Sequence, residues 1–473
     1  MVDMADVQGN ILRGYRKTFV RHLVLTINNR DAARAWLRDA TSGDDVRSPQ
    51  ITTAEPWDEE PPSCVNIGFT HAGLAALGVP DASLRSFPHE FAQGMAARAV
   101  KLGDTGPSQP SRWNPEWQDP EAVHLVVSVH ADDAGHRSLT ADRVLAAGDR
   151  TAFVLRASLD GEGFPGGLVH FGYQDNIAQP RFEGIRDPAD RPDRQPLTEL
   201  GTALLGHPNP VENVRWEVPQ PEVLGLNGCF NAFRVLEQRV EVFEDFLTGA
   251  ADQLLANPLV DQILPPGIEA TWSPPMSRRN ALREVVAAKI MGRWRNGVPL
   301  ELSPTSPTPD PAIGPEQLND FSYATDPDGQ RCPIGSHIRR SNPRDARIVQ
   351  RNTNHARRIM RRGIPYGSPF DPTRPDGQER GLLGVFLCAS LIAQFEAIQY
   401  DWINLGLQDP RITGQNDPVV GNNDERFSSF TLPVGSSSIE LRGFPRFVHT
   451  KGGAYLFLPS ISALRHLGQL GAR

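Results

Sequence analysis

FVRHLVLTINNRDAARAWLRD, residues 19–39, changes character in mid-stretch. Residues 19–27 are rich in β-formers, and residues 30–39 then read as a helix. Working outward, CVNIGF at 64–69 is a second strand. Thr70 can cap a short helix over 71–77, which Gly78 and Pro80 stop. AVHLVVSV at 122–129 is a third strand, followed by a polar helical stretch, and TAFVLRAS at 151–158 is a fourth. Strands and helices alternate, but some strand pairs lack a crossover helix. That favours an α+β layer over a doubly wound parallel sheet.

The order recurs. CFNAFRVL at 229–236 reads as a strand, 238–256 as an amphipathic helix, LLGVFLC at 382–388 as a buried strand, and 389–405 as the helix after it. The Pro-rich, polar stretch near 200–222 divides the chain, and 303–315 (SPTSPTPDPAIGP) reads as a surface loop. Two similar α+β halves are expected, residues 1–210 and 211–473.

A chain of 473 residues suits two such units. Apolar residues at 39% and charged residues at 22% describe an ordinary folded chain, while 42 Gly and 42 Pro foretell many loops. A net charge of −8 argues against a general nucleic-acid binder. Cys64, Cys229, Cys332 and Cys388 are scattered without a CxxC pair, so they are read as reduced, mostly buried thiols. The first residues, MVDMADVQGNILRGYRK, contain no apolar signal core, and no stretch is long and apolar enough to span a membrane. A cytoplasmic protein is expected.

The common nucleotide, zincin and hydrolase motifs are missing, and GFPGGL at 163–168 reads as a plain loop. His22 and His124 fall in strand patterns and read as structural; His71, His89, His136 and His466 read as helix-surface residues. His337 differs. It stands in RCPIGSHIRRSNPRDAR, residues 331–347, with Arg339, Arg340, Arg344 and Arg347 after it. A lone imidazole beside guanidinium groups suits a cofactor that needs one axial ligand and carries carboxylates, as haem does. A solvated arginine face that includes a histidine fits the same residues.

RCPIGSHIRRSNPR closely resembles the proximal segment of dye-decolorising peroxidases, in which the histidine is the axial iron ligand. FGYQDNIAQP, 171–180, resembles the distal GxxDG motif, which puts the catalytic aspartate at Asp175. IMRRGIPYG, 359–367, resembles the distal-arginine segment, with the arginine at Arg361. GLLGVFLCASLIAQFEAIQ, 381–399, resembles the late strand and helix, where Phe386 would wall the distal pocket. Weaker similarity spans nearly the whole chain, most like the longer bacterial and cyanobacterial branch. The resemblance implies two ferredoxin-like halves, each an antiparallel sheet with flanking helices. The first would supply the distal aspartate and the second the haem, the proximal histidine and the distal arginine. One departure stands out: Asn176 replaces the last motif glycine. Asparagine enters the left-handed region more readily than most residues, so the turn is expected to survive.

The resemblance further implies one haem b per chain, hydrogen peroxide as oxidant, and a ferryl state that draws electrons from phenols, anthraquinone or azo dyes, or metal ions. A homo-oligomer is compatible with it; nucleic acid and membrane are not expected partners. Arg344 matches the arginine that meets a haem propionate. Asp417, in TGQNDPVVG, is the expected acceptor for the second N–H of the proximal imidazole, with Glu396 as the alternative. Without the resemblance, Asp175 reads as a turn carboxylate. An aspartate base starts from a reference pKa of about 3.9, so activity is expected to persist in acid. Two rival readings stay open on the sequence: a haem carrier with incidental peroxidase activity, and a non-enzymatic protein on the same fold.

Overall fold

The computed structural model describes residues 2–185, 195–211, 214–348 and 355–471. Its first half runs β1 (Phe19–Ile27), α1 (Arg30–Asp39), β2 (Ser63–Phe69), β3 (Leu125–Ala131), α2 (Ala134–Leu145) and β4 (Phe153–Glu162). The short helix His71–Leu77 follows β2. Thr70 Oγ1 accepts from the Gly73 N–H, and Gly78 closes the helix at φ 88°, as its sequence foretold. Asn29 caps α1 on the Asp31 and Ala32 N–H groups, and α1 buries Ala33, Trp36 and Leu37 against the sheet.

The second half repeats the plan. β5 (Cys229–Gln238) leads into α3 (Val240–Leu255) and α4 (Arg278–Met291). The short α5 (His337–Ser341) precedes β6 (Met360–Arg361), β7 (Ile364–Tyr366) and β8 (Gly381–Cys388). A hairpin, β9 (Ser429–Val434) and β10 (Ser437–Arg442), comes before β11 (Val448–Leu458) and the last helix, α6 (Ile461–Gln469). The expected surface loop at 303–315 has no helix or strand.

Among the described residues one antiparallel sheet of nine strands holds both halves, ordered β4-β1-β3-β2-β11-β5-β8-β6, with β7 also on β8. β4-β1-β3-β2 and β11-β5-β8-β6 are the same arrangement. In each, the first strand of the half lies between the last and the third, which is the ferredoxin-like order. A single register pair, Phe457 opposite Phe69, joins them. Phe457 is fully buried there, its ring 5.1 Å from Phe87 and 5.5 Å from Phe230. A ring so buried contributes about 1.5–3 kcal/mol. The far edge curls back: a Cβ on Gly161 of β4 would lie 2.4 Å from Ile364 of β7, so this glycine is what allows the two strands to touch.

The helix expected over 389–405 is wound differently. Leu391–Phe395 and Ile398–Asn404 are π-wound. The Gln394 side chain accepts from the Ser390 N–H and donates to the Thr202 and Arg358 carbonyls, satisfying polar groups off the helix axis while the ladder widens. An apolar period does not register such a shift, and π-turns concentrate at functional walls. His22 is buried with Nδ1 2.8 Å from Ser128 Oγ. His124 precedes β3 and accepts from the Ile27 N–H. The four cysteines are free and buried, and burial raises the thiols of Cys64 and Cys388 to about 12. Among the described residues no helix is long and apolar enough to cross a membrane.

Candidate active site

The inner faces of β5, β8 and β11 form one wall of a cavity of about 340 Å³; α5 and the segment after Asp417 form the other. His337 opens α5, so its ring projects from a helix start whose backbone Ser336 ties to α4 through the Lys289 carbonyl. Its Nδ1 lies 3.0 Å from Asp417 Oδ2. Asp417 is fully buried, and its other oxygen accepts the Val419 and Val420 N–H groups at 2.8 and 2.9 Å. Burial resists its charge, but His337, Arg340 and the Val420 N–H outweigh that and hold the carboxyl below its ordinary range. An ionised carboxylate only accepts. Nδ1 must therefore carry the proton, which leaves the Nε2 lone pair free for a metal.

Across the cavity, Arg361 Nη1 donates to Asp175 Oδ1 at 3.3 Å. Asp175 follows the bridge residue Gln174, and Asn176 after it adopts φ 59°, so the left-handed backbone conformation survives the loss of the motif glycine. The loop read as featureless has a use: the Gly167 carbonyl accepts the Asp175 N–H at 2.9 Å. Phe386 lies opposite Arg361 in the β6–β8 register and packs on Phe395 at 5.4 Å.

The structure thus gathers His337, Asp175, Arg361, Arg344 and Phe386 around one cavity, with Asp417 directly behind His337. Arg344 is buried in the cavity wall, stacked 3.7 Å over the Phe321 ring and donating to the Asn319 and Phe321 carbonyls. Two expectations need correction. Arg339 and Arg340 do not face the cavity. They are buried in protein, Arg339 on Asp326 and the Cys332 carbonyl, Arg340 on the carbonyls of Trp402, Ile403 and Gln415. Helical spacing sends neighbours of His337 to other faces, so an arginine-rich string is not an arginine-rich site. Glu396 does not meet His337 either; Arg98, Lys101 and Tyr455 occupy it.

Gln179 escaped the sequence reading. Its Oε1 accepts the Arg361 N–H at 3.1 Å, and its Nε2 donates to the Arg361 carbonyl and to Asn176 Oδ1, each at 2.8 Å. One amide therefore clips the Asp175 turn to the strand bearing Arg361, and the asparagine at 176 supplies one of its acceptors. A glutamine four residues after an aspartate carries no signal of its own. Gln179→Leu removes all three hydrogen bonds and is expected to slow the reaction with peroxide at least about tenfold, ~1.4 kcal/mol, with unchanged haem content. Stopped-flow spectroscopy measures it; an unaltered rate would deny the clip any part in alignment.

These residues fit a haem. The donor set is one imidazole fixed by a buried carboxylate, and the walls include Ile338, Val419, Phe395 and Arg344. The family description "DyP dimeric alpha+beta barrel domain" matches residues 6–153. A dye-decolorizing peroxidase of Mycena epipterygia is 30% identical across 98% of this chain and 86% of its own length. The multifunctional dye peroxidase DyP2 of Amycolatopsis is 28% identical over 98% and 95%. Among solved structures, a dye-decolorizing peroxidase in complex with 2,6-dimethoxyphenol superposes with a TM-score of 0.81 at 26% identity, covering 99% of this chain and 100% of that one. The enzyme from Auricularia auricula-judae gives 0.80 at 26%, covering 99% of each. With the fold, a histidine and an aspartate–arginine pair lining one cavity, and relatives matched almost end to end, the chain belongs to the dye-decolorizing peroxidase family, a family of haem-dependent enzymes.

Proposed function

We propose that His337 Nε2 holds the iron of one haem b, that Asp175 and Arg361 act on bound hydrogen peroxide, and that phenols and anthraquinone or azo dyes are the donors. The observation that supports this is the Asp175–Arg361 pair lining the same cavity as His337. Haem supplies the electrons that reduce peroxide and regains them from the donor. Asp175 takes a proton from one peroxide oxygen and returns it to the departing one, which leaves as water. Arg361, always cationic, stabilises the charge on that leaving oxygen. Asp417 fixes the tautomer of His337 and raises its basicity. Arg344 receives a propionate as a charge-assisted partner, and Phe386 excludes water from the distal side. On this reading residues 1–210 contribute Asp175 and residues 211–473 the rest, so neither half is active alone.

A carrier has no use for a carboxylate and a guanidinium held over the open side of its haem, which favours catalysis. The test is reconstitution. The haem-loaded protein is expected to oxidise 2,6-dimethoxyphenol in proportion to added peroxide, the phenol found with a related structure. A full Soret band with no oxidation would support the carrier instead.

A further inference from the structure

The cavity extends beyond His337 and Phe386 to a second, polar end. Arg234 on β5 reaches it, buried to 3% exposure, with Asp104 at 4% beside it. Arg234 Nη2 donates to Asp104 Oδ1 and to Thr450 Oγ1, and the Thr450 hydroxyl donates to the same carboxylate oxygen at 2.7 Å. Arg446 completes the group; it donates to the Thr105 carbonyl at 2.6 Å.

Two features set this end apart. First, its polar groups are incompletely used. Arg234 Nε, Arg446 Nε and Asp104 Oδ2 are buried without a hydrogen-bond partner among the described residues. A buried donor or acceptor left unmade forfeits its hydration with no return, so three in one place mark a site that a ligand or ordered water completes. Second, its charges do not cancel. Asp104 balances Arg234, and burial pushes its carboxyl up, against ionisation. Arg446 has no ion pair among the described residues; Asp424, the other acid acting on it, is engaged by Arg426 at 3.0 and 2.8 Å. The excess is one positive charge in a poorly solvated place.

Gly103, Asn404, Asn422 and Arg446 are half-buried and form a rim. Inside, Gly384 lies in register with Arg234 and puts no side chain on the floor between Arg234 and Phe386. A Cβ there would sit 2.6 Å from the Phe386 ring.

We propose that this end is a subsite for the carboxylate of an aromatic donor, a hydroxybenzoate or hydroxycinnamate, with Arg446 and Arg234 holding the carboxylate and the ring lying toward Phe386. The proposal rests on the peroxidase reading for its donor, but its anion chemistry stands on these residues alone. The test uses haem-loaded enzyme and a matched pair, 4-hydroxy-3,5-dimethoxybenzoate and 2,6-dimethoxyphenol, which differ only by the carboxylate. The benzoate is expected to show a KM about tenfold lower in the wild type, as a charge-assisted contact would give. Arg446→Gln should close that gap, and Arg446→Lys should restore part of it. Equal KM ratios in the wild type and Arg446→Gln would overturn the proposal. Calorimetry reads the subsite without turnover: benzoate should bind the wild type and bind Arg446→Gln about tenfold more weakly. Acetate binding as tightly as benzoate would also overturn it, by assigning the site to small free anions. Should neither donor be oxidised while benzoate binding still depends on Arg446, the peroxidase reading falls and the subsite stands.

Discussion

Asp175→Asn is expected to slow the reaction with peroxide by about 10²–10⁴-fold while leaving haem content unchanged. The amide keeps the size and planarity of the carboxylate, so the turn held by the Gly167 carbonyl and by Gln179 should persist. What it loses is the ability to take a proton and return it. The aspartate is well placed for that transfer, because its side chain is 42% exposed, toward a cavity rather than packed protein, and Arg361 lies 3.3 Å away. Arg361→Leu removes the leaving-group charge partner and should produce a loss of similar order by another route, since a proton acceptor remains. Stopped-flow absorbance under excess peroxide separates the two. A wild-type rate in Asp175→Asn would remove the aspartate from the chemistry altogether.

His337→Ala is expected to leave no haem bound after passage over a desalting column. Among the described residues that line the cavity, His337 is the one imidazole. The substitution also leaves the fully buried Asp417 with Oδ2 unpaired, while Oδ1 keeps the Val419 and Val420 N–H groups. Breaking a buried pair costs about 3–5 kcal/mol, so Asp417→Asn with His337 intact is the control for stability, and it should retain haem. The same pair gives a pH dependence with a definite sign. Asp417 is held below its ordinary value of 3.8, so the stability from its ionisation is present above that value and is lost as pH falls through the lower folded value. Folding stability should therefore hold from neutral pH to about pH 4 and decline below it, as acid unfolding would read. A Soret band retained by His337→Ala would count against His337 as the sole anchor.

What the sequence decided by itself was local. The apolar period of 19–27, the helix after it and the Thr70 and Gly78 signals around 71–77 specify those elements, because propensity and capping act over a few residues. The segments around Asp175, His337 and Arg361 were legible as motifs for a similar reason: each is a short stretch whose backbone aims one side chain. Asn176 could be judged from its own conformational preference. Arg339 and Arg340 show where this kind of reading stops. Adjacent in sequence to the histidine, they are turned by the helix into other surroundings.

Only the tertiary structure decided which segments meet. Gln179 reaches Arg361 across 182 residues. Phe457 joins the halves by facing Phe69, and Arg446 gathers with Asp104 and Arg234 at a cavity end. None of these leaves a period or a spacing, because each depends on the sheet order that brings distant strands together. That order follows from burying both faces of the sheet at once, a property of the whole chain rather than of any window within it.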